Sequence, residues 1–247
     1  MNERQKHIYK IIVKLGNASV EHLEREVFAS SATIRRDLKK MENQGLITRV
    51  WGGAVLSGNA DIDPPSFVRE TENTEPKRLI ARKALSFIKE NDTIFLPSGS
   101  TVTELAKILG IFKNLNVITT CINVVNLLKT YSSFNVMVTG GTLYEHYDLV
   151  GPLATDFINK ISADVLIFSC SGITENGFTS KDISRLEVLF AMQNNAQKKI
   201  LLCDSSKVGK KYTYKGFPFE KIDYVIMDKK PDDIKLVKAL GKKLIVV

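Results

Sequence analysis

Apolar residues fall on two different periods along this chain. Between Val20 and Met41 they recur three and four positions apart, as Val20, Leu23 and Val27 and then Ile34, Leu38 and Met41. That spacing predicts one buried stripe on each of two consecutive helices. Ser30 or Ser31 is placed to cap the second helix and Gly45 to end it. The run Leu-Ile-Thr-Arg-Val-Trp-Gly-Gly-Ala-Val follows, two short apolar segments about a Gly52-Gly53 turn, which predicts a hairpin. From Lys77 onward the pattern changes. Helical segments (Lys77 to Ile88, Thr101 to Leu109, Asn123 to Lys129, around Ser184 to Asn195, around Asp232 to Leu240) alternate with short apolar runs at Thr93 to Leu96, Val117 to Thr119, Val136 to Val138, Val165 to Phe168, Ile200 to Leu202, Tyr224 to Met227 and Leu244 to Val247. Such alternation predicts a mostly parallel, doubly wound α/β sheet with crossover helices.

Two helices, a tight connection and a glycine hairpin make the first segment a winged helix-turn-helix. With Ile34, Leu38 and Met41 inward, Ser31, Arg35 and Lys39 form one outer stripe of the second helix and Thr33, Arg36 and Lys40 another. Short hydroxyls suit phosphates and arginines suit base edges, so these six residues and Arg49 at the start of the wing are the candidate DNA contacts. The organisation is therefore a DNA-binding domain over 1–57 with its motif at 20–39, a Pro- and polar-rich linker over 58–76, and an α/β domain over 77–247.

Charge sharpens this picture. The formal net charge is +8 and the pI about 9.3, which favours a polyanionic partner. Ten Lys/Arg against six Asp/Glu between Met1 and Ser57 put +4 of that excess in the DNA-binding segment. Cys121, Cys170 and Cys203 are scattered, each beside an apolar run, and read as buried free thiols. Neither a disulfide framework nor a metal site with His7, His22 and His146 is indicated. No cofactor is expected. No apolar stretch is long enough to span a bilayer and the N-terminus carries no apolar signal core, so a cytoplasmic protein without a membrane partner is expected.

The α/β segment carries its own candidate site. In open sheets ligands bind beyond the carboxyl ends of the strands. There the sequence places Ser98-Gly99-Ser100-Thr101, Thr119-Thr120, Gly140-Gly141 and Asp204-Ser205-Ser206-Lys207. The Ser98 to Thr101 loop offers hydroxyls and backbone N–H groups at the start of a helix, and Lys207 offers a point charge. Together they suggest a phosphorylated small molecule, with effector residues Ser98, Gly99, Ser100, Thr101, Thr119, Gly140, Gly141 and Lys207. Ser171-Gly-Ile and Gly177-Phe-Thr are expected on a loop forming one wall.

The chain resembles the DeoR family of bacterial transcriptional regulators over essentially its whole length. The resemblance rests on Ala-Thr-Ile-Arg-Arg-Asp-Leu (Ala32 to Leu38), Gly45-Leu-Ile-Thr-Arg, Gly52-Gly-Ala-Val, Ser98-Gly-Ser-Thr, Gly140-Gly141, Val150-Gly-Pro-Leu-Ala and Asp204-Ser-Ser-Lys. It implies repression of a carbohydrate operon controlled by a phosphorylated sugar, an effector domain related in fold to ribose-5-phosphate isomerase, and a homodimer or homotetramer. The chain departs from the family pattern at several positions: Pro97 stands where an Asp is common, Ser100 where a Thr is, Thr119-Thr120-Cys121 where Thr-Asn is, and the stretch after Gly177-Phe-Thr-Ser is shortened to Lys181-Asp182. These departures imply a changed effector preference or, at the extreme, a sensor that has lost its ligand. The chain is expected not to be an enzyme. The alternative is a sugar-phosphate isomerase fused to a DNA-binding module, with Asp204 and Lys207 as base and acid.

Overall fold

The computed structural model describes residues 1–56, 69–70, 72–144 and 147–247, in two units, Met1–Arg69 and Glu70–Val247. Most of the linker over 58–76 lies outside the described residues, and its last positions, from Thr74, are the first turn of a helix.

The first unit opens with a helix that the periodicity above did not single out, α1 (Glu3–Leu15). Asn2 caps it in a reciprocal box: its side chain accepts from the Gln5 N–H, and its own N–H donates to the Gln5 side chain. Ile8, Tyr9 and Ile12 bury one face. Then follow β1 (Asn17–Ser19), α2 (Val20–Val27), α3 (Ser31–Asn43), β2 (Ile47–Val50) and β3 (Gly53–Leu56). Ile34, Leu38 and Met41 of α3 are buried with Leu23 and Val20 of α2, as their spacing requires. Gly45 ends α3 with φ 71°, a left-handed conformation in which the Gly45 N–H reaches the Glu42 carbonyl and the Leu46 N–H the Met41 carbonyl. The strands form one antiparallel sheet in the order β1-β3-β2. Val50 pairs with Gly53, so the wing turns at Trp51-Gly52 and not at Gly52-Gly53. Gly53 belongs to the strand because a side chain there would strike the Ala18 carbonyl of β1.

The second unit is built on seven parallel strands, in chain order β4 (Thr93–Phe95), β5 (Asn116–Thr119), β6 (Asn135–Val138), β9 (Ala163–Ser169), β12 (Ala196–Leu202), β14 (Tyr224–Met227) and β15 (Leu244–Val246). Across the sheet they lie in the order β15-β14-β12-β9-β4-β5-β6. All seven apolar runs are strands of this sheet. Helices α4 (Thr74–Ala84), α5 (Ser100–Ala106), α6 (Ile122–Leu128), α7 (Pro152–Ile158), α8 (Ile183–Asn194) and α9 (Ile234–Leu240) cross between them. One core contains Ile80, Ile94, Val102 and Val117, the other Phe95, Phe168, Phe178 and Leu201. Adjacent residues such as Ile94 and Phe95 thus enter different cores, which is why these strands read as unbroken apolar runs. Two hairpins interrupt the winding: β7 (Thr142–Tyr144) with β8 (Asp148–Val150), and β10 (Gly172–Thr174) with β11 (Gly177–Ser180), the latter paired to β13 (Tyr214–Lys215). The wall expected as a loop at Ser171–Thr179 is therefore largely a hairpin.

Candidate functional site

On α3 the structure leaves Arg35, Arg36, Lys39 and Lys40 exposed and Ser31 and Thr33 partly so. Ser30 precedes the helix in extended conformation without capping it by its side chain; its hydroxyl donates to Thr33 Oγ1 at 3.1 Å. Ile34 makes the first backbone hydrogen bond, to Ser30 O. The N–H groups of the preceding turn are thus left without the helical partners that later turns enjoy, at the end that a recognition helix presents to phosphate.

Arg49 is not a loose cation. Its backbone N–H donates to Glu42 Oε1 at 2.9 Å and its Nε to Glu42 Oε2 at 2.7 Å, which fastens the wing to the last turn of α3. These two bonds hold the Glu42 carboxyl below its ordinary range. At the wing tip Trp51 is fully exposed, and Phe28 between α2 and α3 is almost so, in a left-handed conformation at φ 52°.

One residue inside the recognition motif does a different job. Asp37 is buried and accepts from Arg4 Nε at 2.6 Å and Gln5 Nε2 at 2.9 Å, tying α3 to α1. Burial pushes its pKa up, but hydrogen bonds from Arg4 and Gln5 and the charges of Arg4 and Arg36 outweigh this, so the carboxyl stays below its usual range. In the sequence it looks like one more polar residue on a charged helix, since its partners lie some thirty positions away.

In the second unit the winding reverses between β4 and β9, the place where open sheets form a crevice. Gly99, after β4, approaches Ser169 at the end of β9 so closely that a Cβ would sit 2.3 Å from Ser169 Oγ, and a larger residue would have to displace that hydroxyl. Ser98, Gly99 and Ser100 are partly exposed, whereas Thr101 is fully buried and its Oγ1 has no hydrogen-bond partner. Pro97 is buried. Thr119, also fully buried, accepts the Cys121 N–H at 3.0 Å and so shapes the end of β5. Gly140 and Gly141 follow β6, two strands out from β4 or roughly 10 Å along the sheet, with Gly141 against Val150 and Ala154. By strand order Ser98 to Thr101 lie at the switch point, while Gly140-Gly141 after β6 and Asp204 to Lys207 after β12 each lie two strands from β4.

Beyond β12, Lys207 is mostly buried, with Nζ 3.6 Å from Asp204 Oδ2. Asp204 Oδ1 accepts from the N–H and hydroxyl of Ser206. Burial would raise the Asp204 pKa, but Lys207, the Ser206 hydrogen bond and Lys77 hold it below its usual value. Lys77, absent from the sequence-based site, lies buried on α4 and donates to Glu72 O at 2.7 Å. Lys77, Lys207 and Asp204 thus form a charged group in a poorly solvated place, next to Ser205, whose N–H and hydroxyl donate to Asp228 at 2.6 and 2.8 Å.

A further polar group at the strand ends was not foreseen. Arg185 of α8 donates from Nε to the buried Asp148 at 2.5 Å and from Nη2 to Tyr147 Oη at 3.3 Å, with the Tyr144 and Tyr147 rings 5.4 and 5.7 Å from its guanidinium carbon. Among the described residues no cluster of His, Cys, Asp and Glu is arranged to hold a metal, and no helix is long and apolar enough to cross a membrane.

Comparison with known proteins bears on both units. Residues 4–59 match the family model described as the DeoR-like helix-turn-helix domain, and residues 72–229 that described as the DeoR C terminal sensor domain. The HTH-type transcriptional regulator GolR of Listeria innocua is 34% identical, with 98% of this chain and 94% of the relative covered. The glycerol-3-phosphate regulon repressor of Escherichia coli is 31% identical over 94% of this chain and 93% of its own. The L-fucose operon activator of Haemophilus influenzae is 32% identical over 95% of each. Among solved structures, a D-ribose-5-phosphate isomerase in complex with phospho-erythronic acid overlaps 55% of this chain and 54% of its own at 17% identity and a TM-score of 0.42. That likeness is too slight to bear on chemistry.

Proposed function

The chain belongs to the DeoR family of DNA-binding transcriptional regulators, and from that premise we propose that it represses a carbohydrate-metabolism operon and that a phosphorylated sugar, held in the sensor unit, modulates its grip on the operator. The DNA half of this reading is supported by the exposed Arg35, Arg36, Lys39 and Lys40 on a helix locked in place by Asp37 and Glu42. The effector half is carried by one observation above others, the buried Thr101 hydroxyl that has no partner, at the start of the helix that follows β4 at the switch point; the Lys77, Asp204 and Lys207 group beyond β12 adds charge on the same side of the sheet. A buried polar atom left unpaired costs about 1–3 kcal/mol, which a ligand oxygen would recover. Because α5 has only seven residues, the phosphate is assigned to hydroxyls and lysines and not to a helix dipole.

The chain acts as a homodimer or homotetramer on a palindromic site whose half-sites lie about 10 base pairs, or a multiple of that, apart. It binds its effector as a regulator and not as an enzyme, a reading supported by relatives that are named as transcriptional regulators.

The test is thermal stability against a panel of pentose, hexose and ketose phosphates. At about 100 times its dissociation constant a ligand adds roughly 2.7 kcal/mol to the native state, a shift of several degrees. One phosphosugar is expected to give that shift, its unphosphorylated form not to, and Lys207→Ala to abolish it. No shift with any phosphosugar would refute the effector assignment and leave DNA binding standing.

A further inference from the structure

The three cysteines, far apart in sequence, do not stay apart in the fold. Ser169 and Leu202 are the last paired residues of β9 and β12, so Cys170 and Cys203 are neighbours one step beyond the ladder, and their Sγ atoms are 3.9 Å apart. Both are buried, Cys170 keeping a trace of exposure, and Cys203 Sγ is also 3.7 Å from the Asp204 carbonyl oxygen. Lys207 and Asp204 both act electrostatically on this pair. Packing alone accounts for two small buried thiols. It does not account for their meeting at the crevice next to the cation proposed to hold the effector.

We propose that Cys170 and Cys203 are a reversible oxidation site, closing to a disulfide in the presence of a hydroperoxide. The chemistry balances with that oxidant alone. The Cys170 thiolate attacks the O–O bond to give a sulfenic acid and water. The Cys203 sulfur then displaces the hydroxyl from the Cys170 sulfur, a second water leaves, and the two electrons given up by the thiols have reduced one peroxide. A disulfide needs sulfurs about 2.05 Å apart, so the two Sγ atoms must approach by roughly 2 Å, which rotation about the Cα–Cβ bonds of residues on adjacent strands can supply. Cys170 is the attacking thiol. It keeps what exposure the pair has, its pairing with Cys203 lowers its pKa, and the Lys207 charge outweighs neighbouring Asp204 in the same direction, while burial opposes. Cys203 is pushed well up by its partner and by burial. Cys121 supplies an internal control, since burial and the Asp148 charge raise it to about 12.

The experiment uses the full chain treated with hydrogen peroxide, denatured, alkylated with N-ethylmaleimide and mapped by peptide mass spectrometry. The expected product is a Cys170–Cys203 linked peptide that disappears with dithiothreitol, with Cys121 alkylated throughout. Cys203→Ala should halt at a Cys170 sulfenate trapped by dimedone, and Cys170→Ala should leave Cys203 unoxidised. The mapping on the unsubstituted chain needs no variant to fold. Three alkylated cysteines after peroxide, or Cys121 consumed as fast as Cys170, would overturn the proposal, as would equal oxidation of both single variants.

Discussion

The two units of this chain recognise anions in opposite ways. In the first, the cations are neighbours in sequence, carried on one helix and exposed: Arg35, Arg36, Lys39 and Lys40. In the second, the polar groups arrive from separate strand ends, are largely buried, and each lysine is already engaged: Lys207 with Asp204, Lys77 with Glu72 O. A polyanion is bound by many screened charges whose counterions are released, whereas a small anion must be bound by few groups that have been desolvated and oriented beforehand. On the proposed function, exposed charge marks the DNA site while burial and pairing mark the effector site.

Salt should separate the two most sharply. Each phosphate contact adds about 0.9 to the slope of log affinity against log salt. The four exposed cations of one module alone therefore cost roughly a hundredfold between about 50 and 200 mM. Phosphosugar binding, followed by calorimetry over the same range, should change only a few-fold. Equal slopes would erase the contrast.

Next in size is Asp37→Ala, which leaves Arg4 and Gln5 without their acceptor and should lower the stability of the first unit by about 2–3 kcal/mol. Differential scanning calorimetry should then show the first unit melting early while the sensor unit melts unchanged. Acid provides the complementary measurement. The Asp37 and Asp204 carboxyls both have folded pKa values below the unfolded value of about 3.9. Their contribution is full above about pH 5 and is lost as pH falls through the folded pKa. Asp37→Asn should flatten that loss in the first unit only.

Arg36→Ala should cost about 1–3 kcal/mol on the operator and change the base preferred there, whereas Lys39→Ala should weaken all sequences alike and reduce the salt slope by about one. Equal losses on operator and random DNA would reassign Arg36 to the phosphates. The smallest effect is a gain: Phe28 is exposed and left-handed, so Phe28→Gly should stabilise the first unit by about 0.5 kcal/mol, the relieved strain exceeding glycine's extra unfolded entropy.

What the sequence revealed follows the same division. Buried parallel strands are short apolar runs and a recognition helix is a 3.6-residue stripe, so both were legible from local pattern. The first helix is equally legible, from Asn2, Gln5 and the Ile8, Tyr9, Ile12 spacing, although its stripe is shorter than those of the two helices that follow. The pairs β7–β8 and β10–β11 were not legible, because segments of three or four residues take their form from tertiary pairing. Nor were the Arg4–Asp37 clamp, the Lys77–Asp204 proximity, the Arg185–Asp148 pair or the meeting of Cys170 with Cys203, each of which joins residues about thirty or more positions apart.

The central claim is that the two sites are coupled, and the most direct measurement is operator affinity by fluorescence anisotropy while the phosphosugar that stabilises the protein is titrated in. A coupling of about 1–3 kcal/mol should move the dissociation constant by roughly 5- to 150-fold, with the operator changing phosphosugar affinity by the same factor. A phosphosugar that binds the sensor unit and leaves operator affinity unchanged would contradict the account.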